Sequence, residues 1–126
     1  MSQPVVHFEI IGTDPNRLRS FFGELFGWRY ETTPVAAAVS EPDNYGFIEL
    51  PTASDGSGIR GGVGGGSAYP SRALFYVGVP DVERALAQAE SLGGSRTMGP
   101  QTSPTGLGVG QFTDPEGNLI GLASAG

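Results

Sequence analysis

The sequence predicts an α+β protein made of two copies of one unit, a strand, a helix and three further strands. Three observations carry this. A strand followed by an amphipathic helix occurs twice, the two occurrences keep a constant offset, and each helix is followed by strand-like pieces with turn punctuation.

The first strand is VVHFEI (5–10), followed by GTDPNRLRSFFGELFGW. Asp14 is placed to cap the first helical amides, and Pro15 fits the first helical position. Leu18, Phe21, Phe22, Leu25 and Phe26 then recur at helical spacing as one apolar face, and Gly27 is a suitable left-handed stop. The pattern returns with LFYVGV (74–79) as a strand and Asp81 as a cap. Val82, Ala85, Leu86, Ala89 and Leu92 form its helical stripe, with Gly93 and Gly94 as the stop. Asp14 and Asp81 lie 67 residues apart, and the same offset lays Arg17 on Arg84, Leu25 on Leu92 and Gly27 on Gly94. An offset near half the chain length suggests an internal duplication.

After the first helix come WRYETTPVAAAVS, NYGFIELP and GIRGGVGG; after the second come SRTMG, GVGQFTD and NLIGLAS, with DPEGN (114–118) as a tight turn. GGSAYPSR (65–72) is a short connector. The reading is therefore one domain over residues 1–126, with module 1 at about 4–66 and module 2 at about 72–124.

A chain of 126 residues is long enough to bury a core. It has no cysteine, which excludes disulfides, thiolate chemistry and iron–sulfur clusters. The net charge of −6, with seven scattered basic residues, argues against nucleic acid and against anionic membrane surfaces as partners. No basic apolar segment precedes the first strand, and no apolar run approaches ~18 residues, so a cytoplasmic location is expected.

Strand alternation sorts the faces. Val6, Phe8, Ile10, Ile48 and Leu50 should lie under the first helix. His7, Glu9 and Ile11 then share the opposite face with Tyr45, Phe47 and Glu49. In the second module Phe75, Val77, Ile120 and Leu122 are expected in the core. Leu74, Tyr76, Gly78, Leu119, Gly121 and Ala123 share the other face. Aromatics, carboxylates, glycines and the single histidine together have the composition of a pocket wall.

Three roles are open to His7: a hydrogen-bonded wall residue, a ligand contact, or a general base suited to neutral pH that Glu9 helps keep charged. Glu9 and Glu49 are read either as paired with Arg60 or backbone amides, or as recognising a cationic or hydroxyl-rich ligand. Gln111 is a further candidate for orienting a ligand. GIRGGVGGG lacks the Lys-Ser/Thr ending of a phosphate loop and reads as a glycine-built strand. MGPQTSPTG (98–106) reads as a mobile lip.

Two stretches, HFEIIGTDPNRLRSFFGELFGWRYE and FTDPEGNLIGL, resemble the start and end of a vicinal oxygen chelate protein, the glyoxalase, bleomycin-resistance and extradiol dioxygenase superfamily. The FGELFGW helix end (Phe22–Trp28) and the DPEGN turn are its most specific pieces. The resemblance implies two paired βαβββ modules, with curved mixed sheets around a cleft and helices outside. It also implies, in metal-dependent members, one divalent ion held from the first and last strand of each module. Those positions fall on His7, Leu74, near Gly61, and Gly121. Leucine and glycine offer no donor, and a catalytic metal site uses about three protein ligands. No metal or cofactor is therefore expected, the alternative being a rearranged set of His7, Glu9 and Glu49.

The resulting expectation is a metal-free small-molecule binding protein, without catalytic residues and not an enzyme. Its ligand would be held between the modules by His7, Glu9, Phe47, Glu49, Tyr76 and Gln111, and a homodimer is expected. The alternatives are a metal-dependent lyase, isomerase or dioxygenase, or a metal-independent enzyme using His7 or a carboxylate as base. Titration of untagged protein with Ni²⁺, Zn²⁺, Mn²⁺ and Fe²⁺ should show no saturable uptake at micromolar metal. Stoichiometric metal that is lost on His7→Ala would overturn this.

Overall fold

A computed structural model describes residues 2–49 and 58–124, so the face expected for Leu50 lies outside the described residues. The elements are β1 (Val5–Gly12), α1 (Pro15–Phe26), β2 (Tyr30–Thr32), β3 (Gly46–Ile48), β4 (Arg60–Gly65), β5 (Arg72–Gly78), α2 (Val82–Ser91), β6 (Ser95–Thr102), β7 (Gly108–Thr113) and β8 (Leu119–Ser124). They form two βαβββ-like modules, each with a mixed sheet and its helix packed outside. The helices begin at Pro15 and Val82, which keeps the 67-residue offset of the caps.

One compact unit spans His7–Ala73, and the other joins Met1–Val6 to Leu74–Gly126. β1 is therefore shared: the Gly78 N–H donates to the Pro4 carbonyl at 2.8 Å in the second unit, while residues from His7 onward belong to the first.

In the first unit the strands lie in the order β2-β3-β4-β1, with β1 and β4 parallel and the other pairs antiparallel. Asp14 caps α1 by accepting from the Arg17 N–H at 3.2 Å, and Gly27 ends it with φ 72°. Phe22 faces Trp28 at 5.4 Å between ring centroids and Trp28 faces Phe8 at 5.5 Å, which ties the helix to β1. The expected stripe is only partly covered, for Phe21, Leu25 and Phe26 are each more than half exposed. Periodicity selects the inward face, but the floor beneath it is narrow, because β2 and β3 have three residues each and β4 is mostly glycine.

Of the strand-like piece WRYETTPVAAAVS only Tyr30–Thr32 is a strand. Residues 33–45 turn instead, burying Val35, Ala36, Val39 and Ser40. Ser40 fastens this segment to β4: its hydroxyl accepts from the Gly65 N–H at 2.8 Å and lies 3.1 Å from the Gly65 carbonyl oxygen. That satisfies buried backbone groups which a strand ladder would otherwise have paired.

The second unit repeats the order as β5-β8-β7-β6, with β5 and β8 parallel. Its core joins Val82, Leu86 and Leu122, with Val77, Val79, Ala85 and Phe112 packed around them. Phe75 and Leu92, both assigned to the apolar interior, are 41% and 71% exposed. The ten-residue helix ends at Ser91 before Leu92, and its cluster reaches Val77 but not Phe75. The lip expected at 98–106 is largely strand: β6 runs through Met98–Thr102 with shifted register against β7, and Ser103 holds the turn that follows. DPEGN is the tight turn expected, with the Asp114 carboxylate accepting from the Glu116 and Asn118 N–H groups at 2.9 Å each.

Candidate functional site

The first unit assembles its polar site on β4. Gly62 and Gly64 project to one side of the strand, and the ring of Tyr45 lies across both. A Cβ on Gly62 would come within 2.1 Å of the ring, and one on Gly64 within 2.6 Å. On the other side, a Cβ on Gly61 would meet the Phe8 ring at 2.2 Å. The close approach expected of the glycine strand is therefore real: aromatic rings make it at Gly61, Gly62 and Gly64, and the backbone of Gly12 makes it at Gly65.

Lying flat on β4 carries the Tyr45 hydroxyl to β1, where Glu9 is paired with Gly62. Tyr45 donates to Glu9 Oε1 at 2.9 Å, and His7 Nε2 is 2.9 Å from the same hydroxyl oxygen. A phenol has one proton to give, so with that proton on Glu9 the His7 Nε2 must be the donor. The neutral ring then keeps its basic lone pair on Nδ1. Glu9 and Tyr45 are each only 2% exposed, whereas His7 is partly exposed and touches Phe47, with ring centroids 5.7 Å apart.

The expectation of a histidine kept charged by Glu9 is corrected. Burial, and then the positive charge of Arg60, bring the His7 pKa down from 6.5 to about 4. Desolvation disfavours the imidazolium, and a nearby cation adds to the effect. At neutral pH the ring is uncharged.

The sequence-predicted residues thus divide. His7, Glu9 and Phe47 come together around Tyr45. Glu49 is exposed, with its backbone N–H donating to the Arg29 carbonyl at 2.7 Å, and among the described residues it forms no ion pair with Arg60. Tyr76 and Gln111 meet in the second unit: the Gln111 amide donates to the Tyr76 hydroxyl at 2.8 Å, and both are buried. There the Tyr76 ring covers Gly121, within 2.4 Å of where a Cβ would stand. Tyr45 is the member the predicted set omitted, although alternation had already placed it beside Phe47. A separate cavity of about 370 Å³ beside the start of α1, lined by residues that include Asp14, Arg17 and Phe21, contains none of the predicted residues.

A divalent metal does not fit these residues. The β4 position facing the same side as His7 is Gly62 rather than Gly61, and the Tyr45 ring fills the space of its missing side chain. Tyr76 does the same at Gly121. Among the described residues no group of three or more His, Cys, Asp or Glu side chains is placed to hold a metal ion.

A fold of two βαβββ modules with this arrangement is shared by a known class, and the sequence agrees. Residues 5–122 match the Glyoxalase/Bleomycin resistance protein/Dioxygenase superfamily, and the chain belongs to it. Among curated proteins, none matches. Among solved structures, it is similar to a variant of Streptomyces coelicolor methylmalonyl-CoA epimerase in complex with 2-nitronate-propionyl-CoA, with TM-score 0.68 and 15% identity over 98% of this chain and 99% of that one. Methylmalonyl-CoA epimerase with methylmalonyl-CoA and NH4+ is similar at TM-score 0.68 and 15% identity, covering 99% of this chain and 96% of that one. A superfamily member from Vibrio splendidus 12B01 has TM-score 0.61 and 18% identity over 98% of this chain and all 100% of that one. At such identities the likeness establishes the fold. The repeated match to methylmalonyl-CoA epimerase, an enzyme, runs against the expectation of a non-enzymatic binding protein and corrects it. No helix among the described residues is long and apolar enough to cross a membrane.

The depressed His7 pKa has a consequence for stability. Between about 4 and 6.5 the unfolded chain binds a proton at His7 that the folded chain does not. Stability contributed by the neutral ring is therefore complete above pH 6.5 and is lost as the pH falls toward 4. The whole span corresponds to about 3 kcal/mol. Urea midpoints measured from pH 7 to pH 4 should fall more steeply for wild type than for His7→Gln; equal slopes would show that another group is responsible.

Proposed function

We propose that this protein is a metal-independent enzyme that moves a proton at a carbon next to a carbonyl, as an isomerase or lyase of the glyoxalase type. The observation that carries this reading is the hydrogen-bonded run from His7 through Tyr45 to the buried Glu9. Its order makes a proton relay. His7, the partly exposed member, presents Nδ1 to the substrate C–H. As Nδ1 takes that proton, Nε2 passes its own to the Tyr45 oxygen, and the Tyr45 hydroxyl proton goes to Glu9.

Charge balances across this step. The substrate becomes an enolate as the Glu9 carboxylate becomes a carboxylic acid, while His7 and Tyr45 end neutral. No imidazolium is formed, which suits a ring that burial and Arg60 hold in its neutral form. Return of a proton to another carbon, or to the opposite side of the same carbon, completes an isomerisation. Catalytic use of a related fold on acyl-CoA thioesters supports the reaction type and suggests thioesters as the first substrates to try.

We read the two modules as one domain of this type, acting as a cytoplasmic homodimer with a small-molecule substrate. The exposed Phe21, Leu25 and Phe26 support self-association through α1. Sedimentation velocity should give a dimer that Phe21→Glu converts to monomer, and a wild-type monomer at micromolar concentration would remove this part of the reading.

The reaction is tested by following solvent deuterium entering the α-carbon of methylmalonyl-CoA and other acyl thioesters by NMR. Exchange should be enzyme-dependent without added metal. Glu9→Gln and Tyr45→Phe should each slow it by roughly 10²- to 10⁴-fold, the usual worth of positioned acid–base groups. Absence of exchange on every thioester, or full activity of Glu9→Gln, would defeat the proposal.

A further inference from the structure

We propose that Arg60 is a specificity-determining residue that grips a carboxylate of the substrate, so that the enzyme acts on carbon acids with an anionic group close to the reacting carbon. This rests on the preceding reading that the reaction occurs at His7.

The placement of Arg60 comes from strand pairing. Arg60 is the register partner of His7 in the parallel β1–β4 pair, and paired residues on neighbouring strands project to the same side. Neighbouring strands lie ~4.8 Å apart, which puts the two side chains next to each other. Their proximity has an electrostatic effect as well, since the charge of Arg60 helps hold down the imidazole pKa.

Three other arginines are committed to the protein. Arg19 donates to the carbonyls of Asn44 and Val63, Arg72 donates to the Val39 carbonyl, and Arg96 forms ion pairs with Glu83 and Glu90. Arg60, by contrast, is exposed, and among the described residues its guanidinium has no hydrogen bond or ion pair. Of the two pairings expected for Glu9 and Glu49, with Arg60 or with backbone amides, no ion pair to Arg60 is formed among the described residues. A planar guanidinium with five donors matches a carboxylate in bidentate fashion. In a chain of net charge −6, an uncommitted cation beside the relay also offsets the repulsion an anionic substrate would otherwise meet.

The adjacency limits the ligand. A carboxylate on Arg60 and a C–H at His7 must belong to groups only a few bonds apart, as in a 2-carboxyacyl compound. The bound anion would also screen His7 from Arg60, so binding and the state of the ring are coupled.

Malonate, with neutral malonamide as its isostere, tests this without turnover. His7 is the single histidine of the chain, so its ring signals in a long-range ¹H–¹⁵N spectrum are unambiguous. Malonate should shift them saturably, and malonamide should not. Arg60→Ala should weaken the malonate response by about tenfold or more, the worth of a charge-assisted bidentate contact. Arg60→Lys should lie between, and Arg84→Ala, on α2, should match wild type. An unchanged malonate affinity in Arg60→Ala, an equal response to malonamide, or no saturable response in wild type would overturn the proposal. If Glu9→Gln loses deuterium exchange while Arg60→Ala binds malonate normally, the anchor alone fails. If malonate depends on Arg60 while Glu9→Gln retains exchange, the reaction reading alone fails.

Discussion

The contact between the Tyr45 ring and the bare backbone of Gly62 and Gly64 is the constraint on which the rest of the site depends. Only a strand without side chains on that side lets a phenol lie flat and deliver its hydroxyl to the neighbouring strand. Phe8 lies against Gly61 on the opposite side, so β4 is pressed between two aromatic rings and its glycines are held there by packing. Their conformational entropy cost is offset by burial of those rings.

From that contact follows the electrostatics. A carboxylate as buried as Glu9 must accept hydrogen bonds, and Tyr45 is one group positioned to donate. The same phenol oxygen lies 2.9 Å from His7 Nε2, which joins the imidazole to the buried pair. Desolvation keeps the imidazole neutral. The arrangement therefore disfavours storage of positive charge on the ring. It also fills with aromatic carbon the space that a side chain at Gly62 would take.

The second unit also lays a tyrosine ring on a strand glycine, but from a different position. Tyr76 covers Gly121 as Tyr45 covers Gly62, but its hydroxyl accepts from the amide of Gln111. By the 67-residue offset Tyr76 stands where Glu9 stands, each being the register partner of a glycine, Gly121 and Gly62, so the two tyrosines reach their glycines from different places in the module.

Local chemistry was enough to determine the two helices, their Asp14 and Asp81 caps, the Gly27 stop, the DPEGN turn and the 67-residue offset. Each of these depends on residues a few positions apart, whose hydrogen bonds and side-chain directions follow from the backbone period. Alternation likewise put His7 and Glu9 on one side of β1, with Tyr45 and Phe47 on the matching side of the NYGFIELP stretch that contains β3. What alternation cannot express is how far an opposing surface extends, and so Phe21, Leu25, Phe26, Phe75 and Leu92 were read as interior although they are exposed. Nor can it express register between distant strands. Arg60 stands beside His7, and Tyr45 over Gly62 rather than Gly61, only because long-range packing chose that alignment of β1, β3 and β4. A one-residue slip would have turned every side chain of a strand to the other face. The sequence by itself thus determined the elements and the sides their residues take; the tertiary structure alone decided which of those residues meet, because contacts between distant strands are set by packing and not by local period.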